Sequence, residues 1–425
     1  MIKARILFLS LTVIGLLAFT SIEKDDWTHF RGSNLDAIAH VENCPVSWSS
    51  DVNIAWKTKI HGRGWSSPVV QDDQIWMTTA TEDGTEMFAV CVDFNNGEML
   101  HDIKLFEPDS VYRKHQINSY ATPTPCMEPE RVYVHFGTYG TACLNTNNGQ
   151  VIWKRSDLNC LHVQGPGASP IIYKDFLMLH LEGTDVQKIY ALDKNTGNTV
   201  WEIERPKEIY DRLEPIGKKA YITPIIINVE GRDMMISNGS AMCAAYDPTT
   251  GEEIWRIIRG VDSTIAMPFT DGETVYFHTG FEEQGNRKFA ELMAINPDGK
   301  GDIASTNVKW KIETPILQLS TPVIKDGLIY NIDTKNMMMC LDASTGKVIW
   351  EKRLRGKYNS SPVIAAGHVY FSSTNGETTV VKEGAVLELV SENELEGEIW
   401  TTPAVLRNSI IMRTSEFLYR IEDDE

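Results

Sequence analysis

"LDASTGKVIW" spans Leu341–Trp350, and the chain writes close copies of it at Leu144–Trp153 ("LNTNNGQVIW"), Leu192–Trp201 ("LDKNTGNTVW") and Tyr246–Trp255 ("YDPTTGEEIW"). In each copy an Asp or Asn stands four residues before a Gly, and a Trp four residues after it. The Asp or Asn side chain can accept backbone N–H groups two residues on, and Gly supplies the positive φ that closes such a turn. The Trp then begins a strand, where its ring can wedge between neighbouring units and remove about 150–250 Å² from water. The phrase predicts construction rather than catalysis.

A second marker is a small or hydroxylated residue before Pro, opening an apolar run. It occurs as Ser67-Pro68, Thr122-Pro123, Ser169-Pro170, Thr223-Pro224, Thr321-Pro322, Ser361-Pro362 and Thr402-Pro403, with Met267-Pro268 as a variant. The prolines are 55, 47, 54, 44, 54, 40 and 41 residues apart. Eight copies of this length indicate a propeller or a solenoid. Within "TPVIKDGLIYNID" from Thr321, Pro322 starts a strand and Asp326-Gly327 makes a hairpin turn. "MMMCLD" and "KVIWEKRL" supply two more strands. The expected fold is all-β: an eight-bladed β-propeller of four-stranded antiparallel blades. The eighth copy, after Thr402-Pro403, has only three strands, and "VNIAWKTKI" (Val52–Ile60) matches the missing one. The N-terminal strand is therefore expected to complete the last blade, with Trp56 as its wedge, leaving no open edge.

Two copies depart from the phrase. The first, "VDFNNGEMLH", has His101 in place of Trp, read as packing. The fifth is stretched over Asn296–Val308 before Trp310; its Asp298 and Asp302 lack EF-hand spacing and the terminal Glu, so no metal is expected.

Cys91, Cys143 and Cys340 each lie six residues before a repeat Gly, where Ala191 and Ala245 stand in other copies. That slot reads as small and buried. Cys44, Cys126 and Cys160 fall outside the pattern and remain candidates for pairing. The net charge of −18, from 58 acidic and 40 basic residues, argues against nucleic acid as a partner. Lys3 and Arg5 before an apolar run from Ile6 to Phe19 read as a secretory signal, or an uncleaved anchor, over residues 1–21. With no Cys near the end of that run, a lipoprotein is not expected. Residues 22–51 read as an extension, and 52–425 as one propeller. The chain is expected to be exported, periplasmic or extracellular, and monomeric.

These residues resemble the pyrroloquinoline-quinone (PQQ) type propeller repeat, Ala-x-Asp-x-x-x-Gly-x-x-x-Trp, which Ala191–Trp201 fits in full. "WTHFRGSNLDAIA" (Trp27–Ala39) and "NIAWKTKIHGRGWSSPVV" (Asn53–Val70) are similar to PQQ-like repeat proteins of bacterial exported proteomes. Two relatives imply different functions. Quinoprotein alcohol dehydrogenases hold PQQ and Ca²⁺ at the propeller axis beneath an adjacent-Cys disulfide, and this chain has no Cys-Cys pair. The lipoprotein propeller of the outer-membrane β-barrel assembly machine has eight blades, similar length and no cofactor.

Propellers bind ligands at the ends of the central channel. Three residues before the marker prolines stand Trp65, Tyr120, Gly167, Tyr221, Ile265, Leu319, Asn359 and Trp400. Trp400, Trp65 and Tyr120 are expected to form an aromatic arc, suited to sugars, peptides or flat cofactors. His61, Arg63, Arg113, Lys114, His115, His162, Lys218, Lys219 and Lys357 fall in the same loops and suggest a positive mouth. The candidate ligand-binding residues are Arg63, Trp65, His115, Tyr120, His162, Tyr221 and Trp400. No HExxH, P-loop or GxSxG is present, and no catalytic residue is nominated. The leading expectation is a non-catalytic propeller that binds an envelope protein or extracellular polymer, with no cofactor. The alternatives are a PQQ-dependent oxidoreductase using calcium, and a hydrolase or lyase acting on carbohydrate.

Overall fold

The computed structural model describes residues 26–261, 264–284, 287–314 and 319–423. The 1–21 leader lies outside them, and no helix among the described residues is long and apolar enough to cross a membrane. Eight sheets of antiparallel blade strands are arranged in chain order, seven of them each built from one stretch of chain and the eighth from strands at both ends of it. In the first the strands are Val69–Gln71, Gln74–Ala80, Met87–Asp93 and Met99–Phe106. This is the eight-bladed propeller expected from the repeats.

The opening phrase does what its residues predict. Asp193 Oδ1 accepts the N–H groups of Asn195 and Thr196, and Gly197 N–H donates back to the Asp193 carbonyl. Gly197 has φ +73°, and a Cβ there would stand 2.6 Å from the Trp153 ring of the preceding blade. The same stack puts Trp56 over Gly97, His101 over Gly149, Trp201 over Gly251 and Trp310 over Gly346. Only glycine satisfies both the dihedral and the approach. Trp56, Trp153, Trp310 and Trp350 also donate their indole N–H to a carbonyl of the next blade. Half-burying such a ring contributes roughly 2–3 kcal/mol at 25 cal/mol/Å².

The small slot faces the wedge across the sheet. Cys143 pairs with Trp153, Ala191 with Trp201, Ala245 with Trp255 and Cys340 with Trp350. All seven cysteines are buried and free, so Cys44, Cys126 and Cys160 make no disulfide. The stretched fifth copy is a structural insert. Gly301–Asp302 lies parallel beside Trp255–Arg256, taking the place of the missing glycine turn, while Ile303 joins the core between the fourth and fifth blades.

Closure also follows the sequence reading. Ile54–Lys59 pairs antiparallel with Phe417–Ile421, completing the eighth blade with Ala404–Leu406 and Ser409–Arg413.

The segment before that strand is more than an extension. Trp27 exchanges backbone hydrogen bonds with Val70 in the first blade, the Thr28 carbonyl accepts Met127 N–H in the second, and His29 Nε2 accepts Ile172 N–H in the third. Phe30 and Leu35 pack on the core of the fourth and fifth blades. Arg31 donates to the carbonyls of Thr321 and Pro322 in the sixth, and Ile38–Ala39 runs parallel to Ile364–Ala365 in the seventh. Residues 27–39 thus cross the innermost strands and close the channel.

Candidate functional site

Each innermost strand begins one residue after a proline, at Val69, Cys126, Ile171, Ile225, Phe269, Val323, Val363 and Ala404. The second blade therefore starts from Pro125, not Pro123. "TPTP" (Thr122–Pro125) offers two prolines, and the second rather than the expected first opens the strand. Thr122 moves into the position assigned to Tyr120.

In the corrected register, the residues one before the prolines make a ring. Ser67 N–H donates to Thr124 Oγ1 (2.9 Å), Thr124 N–H to Ser169 Oγ (2.9 Å) and Ser169 N–H to Thr223 Oγ1 (2.9 Å). Beyond the fifth blade, Met267 N–H donates to Thr321 Oγ1 (3.0 Å), Thr321 N–H to Ser361 Oγ (3.0 Å) and Ser361 N–H to Thr402 Oγ1 (3.1 Å). Thr402 N–H closes the circle on Ser67 Oγ (3.0 Å). The joint between Thr223 and Met267 alone lacks a hydroxyl. Each of the seven hydroxyls accepts a neighbour's N–H. Among the described residues none donates its own proton to a protein group, so seven O–H donors remain available to a ligand.

These hydroxyls wall a cavity of about 400 Å³ on the channel axis. Two residues further from the strands, Trp65, Thr122, Gly167 and Tyr221, then Ile265, Leu319, Asn359 and Trp400, line its mouth, with Phe30 of the crossing segment also in its wall. An extended chain advances at most about 3.6 Å per residue, so mouth and crossing segment, five residues apart on the strands, lie within about 18 Å. The channel is a blind pocket.

Trp65 and Trp400 stack with centroids 5.0 Å apart and planes 14° from parallel. Both indole N–H groups are occupied, donating to the Ile117 carbonyl and to Glu398 Oε2. Of the other predicted residues, His115 and Tyr221 line the cavity, while Arg63, Tyr120 and His162 do not. Tyr120 is buried under Gly84, donates to the Tyr112 carbonyl and packs edge-on against Tyr139, so the arc is a pair and not a trio. His162 lies behind Tyr221 with Nε2 3.2 Å from Cys160 Sγ; burial lowers its pKa to about 4 and raises that of the thiol. That pair is neutral, with no thiolate.

No Lys or Arg of the expected positive mouth lines the cavity. Arg63 pairs with Glu82, to which Lys114 also turns (3.9 Å), and His61 pairs with Asp102. Arg31 and Arg413 are fully buried behind the cavity wall, and burial lowers both toward about 9, which leaves them charged at neutral pH. Arg413 spends its protons on Ser66 and the Thr78 carbonyl. The sequence reading missed the hydroxyl ring as a site, although its signal, Ser or Thr before Pro, was the marker itself.

The cavity lining contains no Asp, Glu, Lys, Arg or Cys. It offers no carboxylate to Ca²⁺ and no Lys or Arg to the carboxylates of PQQ, so its donor set does not fit that pair. It also holds no two carboxylates for acid–base work.

The family model described as outer membrane protein assembly factor BamB matches residues 185–300 and 288–387. A tetrathionate hydrolase of Acidithiobacillus ferrooxidans is 22% identical over 268 residues, 60% of this chain and 51% of its own length. BamB of Yersinia pestis is 24% identical over 106 residues, 25% of this chain and 26% of its own. The chain thus spans about half the length of one curated relative and a quarter of the other. Among solved structures, BamB from Moraxella catarrhalis superposes with TM-score 0.58 at 12% identity, covering 86% of this chain and 99% of that one. Quinohemoprotein alcohol dehydrogenase from Comamonas testosteroni gives 0.64 at 11%, covering 94% and 81%. Both structural likenesses show the fold alone.

Proposed function

We propose that this PQQ-like β-propeller, similar in size to BamB, is an exported, non-catalytic binding protein of the cell envelope. It holds a protein or extracellular polymer at the channel face. One observation carries the reading: a blind axial cavity with a stacked Trp pair at its mouth and a wall that holds no carboxylate, Lys, Arg or thiol, with His115 its one imidazole. Such a site can bind and orient, but has no paired groups to move a proton at a reacting atom. The BamB matches support an envelope role, since that protein is described as an assembly factor of the outer membrane.

The test is recovery of a cross-linked partner from envelope extract by wild-type protein and by Trp65→Ala and Trp400→Ala. Recovery is expected to fall in both variants, and equal recovery overturns the channel face as the binding surface. Turnover of tetrathionate, or of an alcohol with PQQ and Ca²⁺ added, would overturn the non-catalytic part.

A further inference from the structure

The same cavity narrows the class of ligand, an inference that rests on the channel-face reading. We infer that it receives the terminal unit of a neutral saccharide chain.

Three observations lead there. The first is charge. With no ionised acid, Lys or Arg in the wall, a charged ligand would be stripped of water with no opposite charge in contact, which is costly. His115 is the one lining residue that can carry a positive charge, and it stands exposed at the rim.

The second is hydrogen-bonding capacity. The seven ring hydroxyls have unspent O–H donors, and each retains a second lone pair. The side-chain amides of Gln164 and Asn359, also in the wall, have no protein partner among the described residues. A ligand that satisfies such a wall must both give and take hydrogen bonds in many directions. An apolar ligand would leave these groups unpaired, at a cost of about 1–3 kcal/mol each. A polyhydroxylated ring matches them. The stacked Trp65–Trp400 pair and Tyr221 supply flat apolar faces for its C–H side.

The third is shape. Residues 27–31 close the far end through backbone bonds to Val70 and Met127 and through Arg31 on Thr321 and Pro322. A polymer cannot thread through, so the site reads a chain end. About 400 Å³ is within the range of small-ligand pockets, roughly 300–1,000 Å³.

The experiment is titration of the full chain, followed by Trp fluorescence and calorimetry, with linear tetrasaccharides of glucose, mannose and N-acetylglucosamine. Tetragalacturonate is the charged counterpart, and α-cyclodextrin the glucose ring without an end. At least one neutral linear sugar is expected to saturate, and tetragalacturonate and the cyclic sugar to bind at least about tenfold more weakly. Loss of one aromatic face in Trp400→Ala, or one hydrogen-bonding amide in Asn359→Ala, should weaken binding about three- to tenfold, the factor expected for a contact worth about 1 kcal/mol. Both variants alter the cavity mouth only, and unchanged melting checks their folding. Four outcomes overturn the inference: no saturation by any neutral sugar, tighter binding of the uronate, equal binding of the cyclic sugar, or wild-type affinity in both variants. If these occur while Trp400→Ala still loses its cross-linked partner, the channel face binds a polypeptide instead, and the saccharide assignment falls alone.

Discussion

The rim and the axis of this propeller are fastened by different chemistry. At the rim, a Trp of one blade lies over the turn glycine of the next, as Trp153 over Gly197. At the axis, an N–H of one blade enters a hydroxyl of the next, as Ser67 into Thr124. The rim joint gains mainly from apolar area, is bulky, and constrains its partner to glycine. The axial joint gains mainly from hydrogen bonds, is small, and leaves an O–H free. Cohesion at the rim therefore uses up its residues, whereas cohesion at the axis leaves behind a polar surface that can bind something. That difference explains why the site is at the centre of the ring.

The comparison breaks most visibly at Trp153. Trp153→Ala removes the ring over Gly197 and the bond to the Lys194 carbonyl, and should cost about 3–4 kcal/mol, read as a lowered urea midpoint. A loss below about 1 kcal/mol would mean that the rim is not the stronger fastener.

Acid should weaken both kinds of joint alike, because neither Trp153 nor Ser169 titrates. Burial holds His162 near 4 in the fold, against 6.5 when exposed. Between those values the unfolded chain binds the additional proton, so stability is complete above pH 6.5 and falls as the pH drops toward 4, by on the order of 3 kcal/mol. Burial also lowers His29, His135, His180 and His278, so melting profiles from pH 7.5 to 4.5 should fall by more than this one share, and His162→Gln should reduce the fall without abolishing it. The gap between Trp153→Ala and wild type should stay constant across the series.

At the axis, Ser169→Ala leaves Thr124 N–H without its acceptor and should cost about 1–2 kcal/mol. The smallest effect sharpens the contrast: Met267→Thr would supply the missing eighth hydroxyl, worth up to about 1 kcal/mol, set against the packing lost from buried Met267, and a raised urea midpoint would show that the hydroxyl dominates. A lower midpoint there would show that the gap is filled by packing of Met267.

The two regions were also unequally legible in sequence. Gly, Asp and Trp at fixed spacing admit few physical readings, so blade count, closure through Trp56 and burial of Cys91, Cys143 and Cys340 could all be read. The axial marker was recognised, but Ser/Thr-Pro is a looser signal, and Thr122–Pro125 contains it twice. The two-residue error carried Tyr120 into a site it does not line. Arg63 and His61 were less legible for another reason: their partners Glu82 and Asp102 lie 19 and 41 residues away, and only the fold brings them near. The crossing segment at 27–39 had no repeat to announce it, because most of its bonds to the blades run through backbone atoms.

The last joint, Thr402 to Ser67, links residues 335 positions apart. Synthesis from the N-terminus leaves Ile54–Lys59 without its partner strand until Phe417–Ile421 has been made. For that interval it is a bare strand edge, open to pairing with any other chain. Lys57 and Lys59 then act as gatekeepers, charged interruptions that discourage aggregation before the circle is complete.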